Sequence, residues 1–120
     1  MPYTNADLDW RDKTSRSSVE MSNPDSRPKI ANKLDNMADY DTVLIGFPIW
    51  WYVAPTIVNT FLEKFDFSGK KVVPFATSGG SGMGKTVDVL SKLSPNAKWQ
   101  TGKMVNGISE KEIKNWVSNL

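Results

Sequence analysis

Neither cysteine nor histidine occurs anywhere in the 120 residues. Their absence excludes disulfides, thiolate nucleophiles, Ser-His and Cys-His relays, haem ligation by histidine, iron–sulfur clusters and zinc sites of the usual kind. No metal site is expected. The remaining chemistry must come from carboxylates, lysines, hydroxyls, backbone N–H groups or a bound cofactor. A strong charge of one sign is also lacking, since 15 basic and 13 acidic residues leave a net charge of +2. The basic residues form no stripe interleaved with aromatics, which argues against nucleic acid as a partner. There is no long hydrophobic run: the best stretch, residues 43–58, is broken by Gly46, Pro48, Pro55 and Thr56, too short and interrupted to span a bilayer. The opening MPYTNADLDWRD lacks the charged-then-apolar layout of a secretion signal, and a cytoplasmic protein is expected.

What is present reads as one domain over residues 1–120, with residues 1–27 a long polar surface segment rich in Ser, Asp and Asn and without periodicity. Ser26, Pro28, Ile30, Leu34 and Met37 predict a helix over 28–38. Residues 42–47 form a continuous aliphatic run closed by Gly-Phe-Pro, expected to be a strand buried on both sides. Ile57, Val58, Phe61, Leu62 and Phe65 recur at helical spacing after Pro55, and residues 71–76 (KVVPFA) form a second buried strand. A short helix follows the glycine-rich stretch 79–84, a third strand over 98–105 is interrupted at Gly102, and Ser109 with Glu112 forms a capping box for a last helix. Strands alternating with helices imply an α/β fold with a parallel sheet.

Ligands of open parallel sheets bind beyond the carboxyl ends of the strands. Two loops lie there. The first, PIWWYVAP, carries Trp50, Trp51 and Tyr52 in a row. Each could be a core residue, but three consecutive aromatics cannot all face inward, and an exposed indole suits a planar ligand. The second, TSGGSGMGK, lets backbone N–H groups approach a ligand. Gly79 to Thr86 also spells the phosphate-binding pattern GxxxxGK[ST] between a strand and a helix. Against a nucleotide site, the later stretch AKWQTGKMV contains no carboxylate to hold magnesium. A glycine loop that only turns the chain is the third possibility.

Taken together, residues 40–84, from YDTVLIGFPIWWY to SGGSGMG, resemble the flavodoxin family, in its branch of FMN-binding oxidoreductases. The likeness covers nearly the whole chain, for YTNADLDWRDKTSRSSVEM with RPKI is similar to the family's insertion after its second strand. The resemblance implies an open parallel sheet with helices on both faces, lacking the family's first two strands and first helix. It implies that Pro48, Ile49, Trp50, Trp51 and Tyr52 pack against the isoalloxazine of FMN, and that Thr77, Ser78, Gly79, Gly80, Ser81 and Gly82 hold the ring's polar edge. The cofactor would move electrons to a redox partner protein or a small quinone-like acceptor, as in an NAD(P)H-quinone reductase. No catalytic acid or base is identified.

Nothing before residue 28 resembles the loop that grips the FMN phosphate, so FMN binding is expected to be weak or absent unless that loop is supplied elsewhere. The strand over 42–47 would be an exposed apolar sheet edge, and self-association into a homo-oligomer is expected. The alternatives are a flavodoxin-like module that carries no cofactor and acts through oligomerisation, and a nucleotide binder using Gly79 to Thr86.

Overall fold

A computed structural model describes residues 3–31, 34–80 and 82–120. Its centre is built from two β-branched runs. Thr42–Pro48 forms β1 and Lys71–Thr77 forms β2, parallel and in register from Thr42 opposite Lys71 to Pro48 opposite Thr77. Parallel neighbours need a crossover, here α2, Thr56–Lys64, begun by Pro55 at φ −55. Val58 and Leu62, four apart on α2, bury against Ile45 and Phe47 of β1 and Val72 and Ala76 of β2, with Leu90 of α3 (Thr86–Ser91) completing the cluster. Apart from Ala76, each of these side chains contributes about 1.5–3 kcal/mol on burial.

On the other flank of β2 lie β3, Lys98–Trp99, and β4, Lys103–Met104, both parallel to it. The sequence predicts one strand interrupted at Gly102, and β2 explains the interruption. The Gln100 N–H donates to the Val72 carbonyl and the Val105 N–H to that of Ala76, so even-numbered β2 residues face this flank. Pro74, midway between them, has no N–H to offer. Val72 and Phe75 stand opposite Trp99 and Lys103, so the flanking chain carries one residue more than β2 across this gap. That is a bulge placed where the donor is missing.

The last helix, α4 (Glu110–Ser118), starts at Ser109, whose hydroxyl accepts from the Glu112 N–H at 3.2 Å. It covers the opposite face of the sheet through Trp116, packed edge-on against Phe75 with centroids 6.1 Å apart. The fold is therefore an open parallel sheet with helices on both faces.

Three expectations need correction. The strand over 42–47 is not buried on both sides. Ile45 and Phe47 are buried, whereas Thr42, Leu44 and Gly46 are exposed, because α2 packs on the Ile45–Phe47 face, while on the other the Phe75 ring lies where a Gly46 Cβ would meet it at 2.4 Å. Next, the described part of 28–38 contains no α-helix, only a 3₁₀ turn over Met37–Asp39. Two side chains draw this segment along α2 instead: Ser26 Oγ lies 3.2 Å from Thr56 Oγ1, and Arg27 forks onto Glu63 at 3.0 and 3.1 Å. Finally, residues 1–27 are not merely an irregular excursion. Arg16–Met21 forms α1, capped by Ser15, and turns tied by Thr4 with Asp7 and by Asp12 with Thr14 precede it. Short polar side chains that bond nearby backbone produce such turns without hydrophobic periodicity.

The pairing leaves β1 with a free edge. Odd-numbered residues face β2, as the Asp41 carbonyl accepting from Lys71 and the Ile49 N–H donating to Thr77 show. The backbone groups of Thr42, Leu44 and Gly46 consequently point away, and no described strand pairs with them. No helix among the described residues is long and apolar enough to cross a membrane.

Candidate functional site

The carboxyl ends of β1 and β2 continue into the two loops singled out above. In the first, the Trp50 N–H donates to the Val53 carbonyl at 2.8 Å and the Val53 N–H returns to Trp50 at 3.2 Å, closing a two-residue hairpin. Its central residues, Trp51 and Tyr52, have φ of +48° and +71°, the signs of a type I′ turn that asparagine and glycine ordinarily occupy. Two non-glycine residues held there cost about 1–2 kcal/mol each. The turn aims both rings outward, Trp51 46% and Tyr52 71% exposed. Trp50 stays half-buried, edge-on to Tyr3 at 5.4 Å.

The second loop is held at both ends. The Asn106 side chain accepts from the Ser78 N–H at 2.9 Å and donates to the Ser78 carbonyl at 2.7 Å, and Ser78 Oγ accepts from the Gly80 N–H at 3.3 Å. At the other end Gly84 has φ +56°, and a Cβ there would stand 2.8 Å from the Tyr52 carbonyl oxygen. Gly102, at the bulge, lies beneath Met83: its Cβ would meet Met83 Cε at 2.4 Å. Beside Gly79 and Gly82 there is open space.

The phosphate-binding spelling has a structural content of its own. Thr86, the residue that would reach a magnesium ion, is fully buried and donates its hydroxyl to the Met83 carbonyl, with the Tyr52 carbonyl 3.5 Å away. The glycine and threonine of the pattern serve to join the two loops.

Between the loops is a cavity of about 450 Å³, within the usual size range of small-molecule sites. Of the residues expected to form a site, Ile49, Trp50, Trp51, Tyr52, Gly79 and Gly80 line it. Ser78 borders an adjoining hollow of about 310 Å³ with Met104 and Asn106, which shares Gly79 and Gly80 with the cavity. Pro48 and Thr77 pair at the strand ends and line neither, and nor does Gly82. Ser81 lies outside the described residues.

Leu8, Trp10 and Ser17 close the third side of the cavity. Sequence reasoning missed this wall and the Asn106 anchor. A tryptophan in an otherwise polar segment was the available signal. The wall is held together locally: Ser17 N–H donates to the Asp7 carbonyl at 2.9 Å, Tyr3 hydrogen-bonds Glu20, and the Arg16 guanidinium sits 3.9 Å from the Tyr3 ring centroid. Burial, and then the hydrogen bond to Glu20, push the Tyr3 hydroxyl from its ordinary 10 up to about 12. It therefore stays protonated, and hydrogen-bonded, across the neutral range.

The family described as Flavodoxin matches residues 1–120, the whole chain. The chain belongs to the flavodoxin family. Among solved structures, a proposed flavoprotein of Bacteroides eggerthii is 52% identical, with a TM-score of 0.90 over 99% of this chain and 75% of its own. A similarly named protein of Bacteroides uniformis is also 52% identical, with a TM-score of 0.92 over 98% and 76%. A Lactobacillus acidophilus flavoprotein, solved in complex with FMN, is 20% identical, with a TM-score of 0.65 over 95% of this chain and 75% of its own. That last likeness carries the fold alone. A comparison with curated proteins finds no match.

The cavity fits one end of the family's cofactor better than the other. Exposed indole and phenol rings on one loop and glycine backbone on the other suit a large planar ring with a polar edge. No Lys or Arg is among the residues that line it, so a phosphate would find no cationic side chain there.

Proposed function

We propose that this flavodoxin-family chain binds FMN between the aromatic and glycine loops and works in electron transfer in the cytoplasm, as an oxidoreductase of the quinone reductase kind. When bound, FMN supplies the redox chemistry, taking electrons from a reduced donor and passing them to a redox protein or a quinone-like acceptor. The observation that carries the reading is the Trp51–Tyr52 turn, whose unfavourable backbone holds two exposed aromatic residues at the rim of the cavity that Gly79 and Gly80 also line. Strain of this kind persists where the surroundings over-determine it and clusters at ligand sites. In this reading Trp50, Trp51 and Tyr52, with Pro48 and Ile49 behind them, cover the ring's apolar face and exclude water from it. The glycine loop, through Gly79 and Gly80 in the cavity wall, brings main chain against the ring's polar edge.

A tryptophan-fluorescence titration tests this. FMN is expected to quench saturably, riboflavin within a few-fold of it because the cavity lining offers the phosphate no cation, and Mg-ATP not at all. Absence of quenching by either flavin would remove the reading and favour a module without cofactor.

We further propose that β1 pairs with a second copy of itself. Support comes from the free backbone row of Thr42, Leu44 and Gly46, from Leu44, which is 41% exposed, and from exposed Ile113 and Val117 beside Trp116. An unprotected apolar edge is a template for pairing. Sedimentation should show a dimer at tens of micromolar that Leu44→Lys dissociates. A monomer at every concentration rejects the pairing.

A further inference from the structure

We propose that the groove adjoining the flavin cavity is a second ligand site, built for an anionic molecule that carries a planar aromatic group. The inference rests on the flavin reading for its purpose but not for its geometry. The groove, about 720 Å³, is bounded by Trp10, Trp51 and Met21 and by the cations Arg11 and Lys13. Trp10 and Trp51 line the flavin cavity too, so a molecule in the groove and one in the cavity would share the same two indoles.

Charge separates the two spaces. The flavin cavity has no charged lining residue, whereas the groove has two, both positive. Nearby carboxylates do little to cancel them. Asp9 approaches Arg11 at 3.5 Å, but the side chains are 42% and 76% exposed, and such a surface pair contributes little. The Asp12 carboxylate is occupied by the Thr14 N–H and hydroxyl at 2.8 and 2.7 Å. Lys13 has no ion-pair partner among the described residues.

The apolar half of the groove is equally specific in type. Trp10 is 71% exposed, a large apolar area left to water unless something stacks on it, and the Arg11 guanidinium stands 6.0 Å from its ring centroid. Met21 adds a polarisable side chain that adapts to aromatic surfaces. Indoles beside cations select a flat ring with a negative substituent. A quinone bearing an acid group and a nicotinamide bearing its phosphates both have this chemistry.

The test uses anthraquinone-2-sulfonate and the neutral 2-(hydroxymethyl)anthraquinone, titrated calorimetrically into the protein with and without saturating FMN. The sulfonate is expected to bind at least about five-fold more tightly than the neutral compound, with a preference that shrinks as salt is raised. In Arg11→Gln/Lys13→Gln the two compounds should bind alike, while FMN affinity is unchanged. Lys92→Gln/Lys98→Gln, of the same net charge, should keep the preference. Displacement of the sulfonate by NADPH would assign the groove to the nicotinamide source, and indifference to NADPH to the acidic quinone. Equal binding of the two anthraquinones by the native protein, a preference that survives in Arg11→Gln/Lys13→Gln, or competitive displacement of the sulfonate by FMN would each overturn the proposal. If FMN fails to bind while the sulfonate preference stands, the flavin reading fails and the second site remains.

Discussion

Gly84→Ala is expected to destabilise the fold by about 2–3 kcal/mol and to weaken flavin binding in the same variant. Its φ of +56° disfavours any Cβ, and the added carbon would stand 2.8 Å from the Tyr52 carbonyl oxygen. The obstacle is backbone, which cannot rotate aside as a side chain does. Relief must come from moving the Trp51–Tyr52 turn or the start of α3, where the buried Thr86 hydroxyl also approaches the Tyr52 carbonyl. Either movement separates the loops that enclose the cavity. Urea unfolding and an FMN titration of the same preparation check both halves. An unchanged midpoint with unchanged affinity would show that the loops do not meet at Gly84.

The second large effect has opposite signs for stability and binding. Replacing Trp51 and Tyr52 together by Asn and Gly installs the residues that a type I′ turn prefers. Because asparagine keeps part of the left-handed cost and glycine adds entropy to the unfolded chain, the net gain in stability should be about 1–2 kcal/mol. The same change deletes the two exposed rings, and flavin affinity should fall about ten-fold or more, the worth of a stacked aromatic. Chemical denaturation and fluorescence quenching of the remaining tryptophans by FMN measure the two terms. A variant no more stable than the native protein would mean the turn carries no strain, and a variant that binds FMN as tightly would take Trp51 and Tyr52 off the cofactor. Tyr52→Gly alone should show both effects in part.

The strands and α2 were legible because their patterns are local and unopposed. Residues 42–47 and 71–76 are short β-branched and aliphatic runs bounded by turn residues, and Val58 and Leu62 share one helical face. The face of β1 that stays exposed was not legible, since Val43, Leu44 and Ile45 look alike as letters and only the surroundings decide which is covered. The segment 28–38 had helical spacing at Ile30, Leu34 and Met37, yet Ser26 and Arg27 bind α2 some thirty residues away and override it. Within the site, the identity of both loops could be read, because runs of aromatics and glycines are rare and each has a direct physical meaning. The third wall could not: Leu8, Trp10 and Ser17 reach the cavity through turns made by Thr4, Asp7, Asp12 and Ser15, whose side-chain bonds leave no periodic trace. The same holds for Asn106, an ordinary loop residue by composition that serves Ser78 as a substitute strand partner.

Pro74 never borders the cavity, yet part of the cavity's shape originates with it. Because the ring nitrogen carries no hydrogen, the neighbouring chain cannot run straight past β2 and takes up one additional residue there. That slack brings Gly102 under Met83, and so supports the glycine loop from below. The contour presented to a ligand on top of the sheet is in this sense inherited from a single missing proton in its middle strand, and selection on ligand fit can act at a position that no ligand touches.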